Sequence, residues 1–186
     1  MVHSVSPLRV VLFDVDGTLV DSERSGHRVA FNRSFEELGL PYRWDEDLYG
    51  ELLLVTGGKE RIDHYLRGEG IAQERRAELV PEIHEKKNRY FLDLVEQGAV
   101  PARPGAARLI DELGAAGMRL GVVTTGSRGW VETIVAQHFG LDRFEIVVTG
   151  DQVPRKKPDP SAYEIALDRL DLQASSALAL EDSLPG

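Results

Sequence analysis

The chain has 186 residues, 42% of them hydrophobic, enough to bury one full core or a core with a small satellite domain. Its 31 Asp and Glu against 22 Lys and Arg give a formal charge of −9, which repels nucleic acid and anionic membranes. The absence of Cys removes disulfides, thiolate metal ligands and cysteine nucleophiles, and fits a reducing cytoplasm.

The opening MVHSVSPLR lacks the apolar core of a signal peptide, and no stretch approaches the roughly 20 apolar residues of a membrane span. A soluble, cytoplasmic monomer with no membrane partner is expected. Residues 9–13 form the first short apolar run, rich in β-branched side chains, and read as a buried strand. From about residue 21 to 98 the texture changes to helical periodicity with no convincing strand. Ser22 is expected to cap a helix whose face, Ala30, Phe31, Ser34, Phe35 and Leu38, runs to Gly39. Shorter helices are expected to start near Asp45 and Thr56. A charged stretch from Ala72 meets Pro81, which should end or kink one helix at Val80 and start another presenting Ile83, Lys87, Tyr90, Phe91 and Leu94.

Beyond this block, strands and helices alternate, which calls for parallel pairing. A helix opens at Pro104-Gly105, carries Leu109, Ile110 and Leu113 on one face, and stops at Gly117. Residues 119–124 are the second strand. Ser127 is expected to cap a helix with Val131, Ile134 and Val135 inward, ending at Gly140. Residues 145–149 are the third strand. Asp159-Pro160 opens a helix burying Tyr163, Ala166, Leu167 and Leu170, and residues 177–181 are a weaker fourth strand. The fold class is therefore α/β, a Rossmann-like parallel sheet formed by residues 1–20 and 99–186, with residues 21–98 inserted as a helical cap. Such an insert should lie over the carboxyl ends of the strands and act as a lid.

Phe13-Asp14-Val15-Asp16-Gly17-Thr18 places two acids one residue apart directly after a buried strand. Alternation puts both on one face, at the rim where ligands bind in open α/β sheets. Carboxylates crowded there repel unless a cation joins them, and a hard divalent ion, Mg²⁺, is implied. Three further stretches follow the later strands: Val122-Val123-Thr124-Thr125-Gly126-Ser127, Arg155-Lys156-Lys157-Pro158-Asp159-Pro160 and Leu180-Glu181-Asp182-Ser183. Each alone reads equally as a helix cap, a basic surface turn or an acidic turn. The five histidines, His3, His27, His64, His84 and His138, show no zinc-site spacing. His27 is placed on the first cap helix, near the expected mouth of the site.

In this order, an apolar strand ending in Asp-x-Asp-Gly-Thr, a strand ending in Thr, a Lys-Pro-x-Pro turn and a strand ending in acids, the sequence resembles the haloacid-dehalogenase superfamily. The resemblance covers the whole chain. It implies that Asp14 attacks phosphorus to form an aspartyl-phosphate, and that Asp16 protonates the leaving oxygen and later deprotonates water. Thr125 and the Gly126 N–H are implied phosphate donors. Lys157 is implied to hold both the nucleophile and the substrate phosphate. Asp14, the Asp16 carbonyl and Asp182 are the implied Mg²⁺ contacts, with Glu181 behind them, though direct ligation by Glu181 is an alternative.

The helical insert is similar to the small cap of the phosphoglycolate phosphatase and β-phosphoglucomutase branch. The stretches Asp21 to Asn32 and Thr56-Gly57-Gly58-Lys59-Glu60-Arg61 look like the cap of CbbY-type phosphatases, which act on sugar phosphates such as ketopentose bisphosphates. This implies that Glu23 bonds sugar hydroxyls and that Lys59 or Arg61 clamps a distal phosphate. A small phosphorylated metabolite is the expected partner. A phosphomutase passing the phosphoryl group to another hydroxyl, and a non-catalytic phospho-acceptor module or inactive short relative, remain alternatives. The family usually continues past the fourth motif with another helix and strand, whereas this chain stops at Leu184-Pro185-Gly186. A C-terminally shortened core with an open sheet edge and reduced stability is the corresponding expectation.

Overall fold

The computed structural model describes residues 7–55 and 57–183. The expected helix start at Thr56, His3, and the last three residues lie outside that set. The described backbone divides into two compact units, Met1–Asp21 with Pro101–Gly186, and Ser22–Val100.

In the first unit, four short strands form one parallel sheet: β1 (Val10–Phe13), β2 (Arg119–Val123), β3 (Ile146–Val148) and β4 (Ala177–Leu180). Their spatial order is β3-β2-β1-β4, with Val10 opposite both Arg119 and Ala177. Three helices connect them: α5 (Ala106–Ala115), α6 (Arg128–His138) and α7 (Ser161–Leu170). The chain winds from β1 out to β3 and then returns to the far side of β1, so β1 is the point at which strand order reverses. Ligands of open α/β sheets bind at the carboxyl ends of strands at such a point. The sheet is held on one face by Val10, Leu12, Val123, Ile146 and Val148 packed against Ala162, Ala166 and Leu170 of α7. Gly121 of β2 leaves room for side chains from both neighbouring strands, since a Cβ there would meet Leu12 Cδ2 at 2.7 Å and Ile146 Cγ2 at 2.8 Å.

Two expectations for this unit are corrected. On α5 only Ile110 is fully buried, while Leu109 remains 38% exposed and Leu113 half-buried. The first turn of α6 is capped from outside the helix: Ser127 makes no capping bond, and the Arg128 N–H donates to Asp151 Oδ1 at 3.1 Å. That carboxylate is steadied by the Thr149 hydroxyl at 2.6 Å, a residue 23 positions further along being able to supply the oxygen a local Ser was expected to give.

The second unit is all-helical among its described residues. A π-helical turn, Glu23–His27, continues into α1 (Arg28–Glu37), followed by α2 (Glu46–Leu52), α3 (Gly58–Gly68) and α4 (Gln73–Glu96). Ser22 is fully buried with helical dihedrals and makes no capping bond, contrary to its expected role. Asp45 does cap α2, accepting from the Leu48 N–H at 2.9 Å. The core gathers Phe31, Phe35, Trp44, Tyr49, Leu52, Ile62, Leu66, Leu79 and Ile83. Trp44, wholly buried, is pinned by Asn32, which donates to its carbonyl and accepts from its N–H, both at 2.8 Å.

The expected break at Pro81 does not occur, and α4 runs unbroken through it. Leu79 and Ile83, on either side, are buried in the same core, and tertiary packing of this kind outweighs one missing backbone bond. Pro81 itself is exposed. Pro81→Ala should therefore restore the N–H to Ala77 without disturbing a contact, raising stability by about 1–3 kcal/mol. Urea unfolding would measure this; a less stable variant would mean that the proline ring contributes packing not apparent from its exposure. None of the helices among the described residues is long and apolar enough to cross a membrane.

Candidate active site

Asp14 follows β1 directly, and its N–H donates to the Leu180 carbonyl at 3.0 Å, continuing the strand pairing beyond the named ends. Its side chain is 9% exposed. Lys157, from the turn before α7, brings Nζ to 2.9 Å from Asp14 Oδ1, 2.8 Å from the Val123 carbonyl and 2.5 Å from Glu181 Oε1. Three strand ends thus converge on one ammonium, each contributing an acceptor, and its three donors are all used. Tyr163, in the first turn of α7, donates its hydroxyl to the same Glu181 oxygen, and the Lys157 ammonium lies 5.2 Å from the centre of its ring.

Asp14, Glu181 and Asp182 can each offer a carboxylate oxygen within 4.8 Å of one another. Asp182 rests against Gly17, where a Cβ would fall 2.2 Å from Asp182 Oδ2. Gly17 also has φ of 74°, so the glycine of the acidic turn is needed twice, for its left-handed backbone and for room beside the carboxylate. The group borders an open cavity of about 540 Å³ whose lining includes Gly17, Thr18, Glu181 and Asp182.

Burial pushes the Asp14 carboxyl up to about 7 from its ordinary 3.8; the neighbouring Lys157 opposes this by charge and hydrogen bond, and the negative charges of Glu181 and Asp16 add to it. A carboxylate so reluctant to ionise beside two more acids is one that a cation would relieve. The donors are all hard oxygens, the set that suits Mg²⁺, so the residues present fit this ion. Burial, then the hydrogen bond to Glu181 and the charges of Glu181 and Asp14, raise the Tyr163 phenol above its usual range, so Tyr163 acts here as a neutral donor.

Thr125 and Gly126 lie in the turn after β2. Thr125 is half-buried, and its carbonyl packs so closely on Gly150 that a Cβ there would come within 2.1 Å. The Gly126 N–H is engaged, donating to Thr124 Oγ1 at 3.1 Å, so its use by a phosphate oxygen requires sharing or breaking that bond. Gly126 also cannot carry a side chain, since a Cβ would meet the Trp130 ring at 2.3 Å. The structure therefore brings together Asp14, Lys157 and Asp182, with Asp16 close enough to act on Asp14 by charge. It adds Tyr163 and a direct Lys157 contact for Glu181. The sequence had placed Tyr163 simply in the core, because helical spacing gives its depth but not where its hydroxyl points.

Glu23, Lys59 and Arg61 belong to the helical unit. Lys59 is exposed. Arg61 is 8% exposed and donates to the Leu52 carbonyl at 3.0 Å and the Tyr49 hydroxyl at 3.2 Å, so its guanidinium ties α3 to α2. The His27 ring packs at a tilt against Phe91 with centroids 3.9 Å apart.

A model of the haloacid dehalogenase-like hydrolases matches residues 8–186. Protein CbbY of Cereibacter sphaeroides is 44% identical over 186 residues, covering 96% of this chain and 78% of that protein. A CBBY-like protein of Arabidopsis thaliana is 40% identical over 184 residues, covering 95% of this chain and 58% of the longer plant protein. Phosphoglycolate phosphatase of Yersinia pseudotuberculosis is 31% identical over 180 residues, covering 95% and 73%. A crystal structure of a CbbY variant from Rhodobacter sphaeroides in complex with xylulose 1,5-bisphosphate superposes with a TM-score of 0.74 at 42% identity, covering 96% of this chain and 80% of that one.

Proposed function

Because the chain belongs to the haloacid dehalogenase-like hydrolases, in an α/β fold similar to that of CbbY, we propose that it is a Mg²⁺-dependent phosphatase of a small phosphorylated sugar, with Asp14 as nucleophile. The observation that carries this reading is the Lys157 ammonium at 2.9 Å from a buried Asp14, beside acids able to share a cation with it. Its similarity to a CbbY that binds xylulose 1,5-bisphosphate supports a ketopentose bisphosphate as substrate.

An Asp14 oxygen bonds to phosphorus as the bond from phosphorus to the sugar oxygen breaks, and the departing oxygen takes a proton from Asp16. Asp16 then takes a proton from a water whose oxygen displaces Asp14 at phosphorus, releasing inorganic phosphate and restoring both carboxyl groups. Lys157 offsets the charge gathered on Asp14 and the phosphoryl oxygens, and Thr125 donates to one of those oxygens. Asp14, Asp182 and the Asp16 carbonyl would hold Mg²⁺, which would supply positive charge against the phosphoryl oxygens. Glu181, engaged by Lys157 and Tyr163, keeps the lysine in place. In the helical unit, proposed as the recognition cap, Glu23 serves the sugar hydroxyls and exposed Lys59 the distal phosphate.

Phosphate release from a panel of phosphorylated sugars that includes xylulose 1,5-bisphosphate tests the proposal. Chelation of divalent ions should lower the rate by about 100-fold or more, with recovery on adding Mg²⁺. Turnover indifferent to chelation, or formation of an isomeric sugar phosphate in place of inorganic phosphate, would refute it.

A further inference from the structure

Three side chains of the helical unit form a hydrogen-bonded line that the phosphoryl chemistry leaves unused. The buried Arg61 guanidinium is anchored by Nε to the Leu52 carbonyl at 3.0 Å and donates from Nη1 to the Tyr49 hydroxyl at 3.2 Å. It also lies 5.4 Å from the centre of the Tyr49 ring. Tyr49, 2% exposed, donates in turn to Glu23 Oε2 at 2.6 Å. A hydroxyl that accepts from a cation becomes a stronger donor, so the short bond to Glu23 is reinforced by the arginine behind it. Glu23 is half-buried, and its other oxygen, Oε1, accepts no hydrogen bond among the described residues.

This arrangement separates the two oxygens of one carboxylate by task. Oε2 is fixed from behind, and Oε1 carries no hydrogen bond among the described residues. A flexible Glu loses rotamer freedom when it binds a ligand, whereas one already held loses little, so prior fixing strengthens recognition without adding a contact. An acceptor with one open oxygen selects a ligand that brings a hydroxyl to it.

We infer that Tyr49 and Arg61 are positioning residues that hold Glu23 so that Oε1 accepts a hydroxyl of the sugar, making the trio a selector for hydroxylated over deoxygenated phosphate esters. This rests on the phosphatase reading above. Arg61 then acts through Tyr49 and never touches the substrate.

Tyr49→Phe should raise KM for the ketopentose bisphosphate by about 10-fold while kcat changes by no more than about twofold. In a Glu23→Gln background the same substitution should add less than about twofold, because its effect passes through the carboxylate. Glu23→Asp, which retracts the carboxylate and leaves the Tyr49 and Arg61 pair intact, should raise KM to a similar degree even if Tyr49→Phe does not fold. Additive effects of Tyr49→Phe and Glu23→Gln, or an unchanged KM in Tyr49→Phe or Glu23→Asp, would overturn the inference. A readout independent of turnover is the Glu23 carboxyl ¹³C resonance, assigned with Glu23→Gln. It should move on Tyr49→Phe, and a fixed resonance would equally overturn the inference. Were the unsubstituted chain to release no phosphate from any sugar, the phosphatase reading would fail, and the resonance would still decide whether Tyr49 holds Glu23.

Discussion

On the proposed mechanism Asp14→Asn is expected to abolish phosphate release, by on the order of 10⁴-fold or more, since it would remove the covalent nucleophile and leave only binding and electrostatics. The same substitution should stabilise the metal-free protein at alkaline pH. Asp14 titrates at about 7 in the folded chain against an ordinary 3.8, chiefly through burial, so the folded state binds this proton more tightly than the unfolded one. Its contribution is therefore most favourable below about pH 4 and is lost as pH rises from there through about 7. That difference corresponds to a ceiling of roughly 4 kcal/mol, reduced where the neutral amide gives up its share of the Lys157 ion pair. Metal-free Asp14→Asn should thus gain about 1–4 kcal/mol at pH 8 and almost nothing near pH 4, measured by denaturant unfolding at both pH values. An equal difference at the two would show that burial does not govern the Asp14 charge. Mg²⁺ at millimolar concentration should reverse the order at pH 8, because it stabilises only the chain that keeps the carboxylate.

Lys157→Met should produce the second large effect, on stability and catalysis together. The ammonium is 6% exposed and stands between Asp14, 9% exposed, and Glu181, 15% exposed; without it two nearly buried carboxylates face each other. Removing one partner of a buried ion pair costs about 3–5 kcal/mol, and loss of the fixed charge beside the reacting phosphoryl group should slow turnover by about 10³-fold. The penalty should shrink at acid pH, where Asp14 is protonated and needs no counter-charge. Adding Asp14→Asn should recover part of the stability but none of the turnover, a combination that separates the electrostatic cost from damage to packing. A Lys157→Met chain as stable as its parent at pH 8 would show the lysine to be solvated and not the counter-charge of Asp14.

The four strands, the alternation that makes them parallel and the acidic turn after the first were all legible from sequence. Each depends on a few consecutive residues: the β-branched runs of β1, β2 and β3 are largely buried, and a glycine after Asp16 permits the left-handed turn, whereas β4, with no β-branched residue, pairs with β1 yet leaves Leu178 44% exposed. The order of motifs along the chain sufficed to nominate Lys157 and Asp182 beside Asp14. Tertiary structure decided what those residues touch. The bond from Lys157 to Asp14 joins positions 143 apart, and only the return of β4 to the side of β1 opposite β2 puts Glu181 within reach of both. The same holds for the readings that changed. Pro81 stays within α4 because Leu79 and Ile83 are buried against other helices. Asp151 caps α6 in place of Ser127. Arg61 turns inward to Tyr49 and Leu52 where a lone helix would have shown it to solvent. Local pattern fixes depth and backbone conformation, whereas the partner of a buried polar group is set by which distant elements pack around it and by the cost of leaving it unpaired.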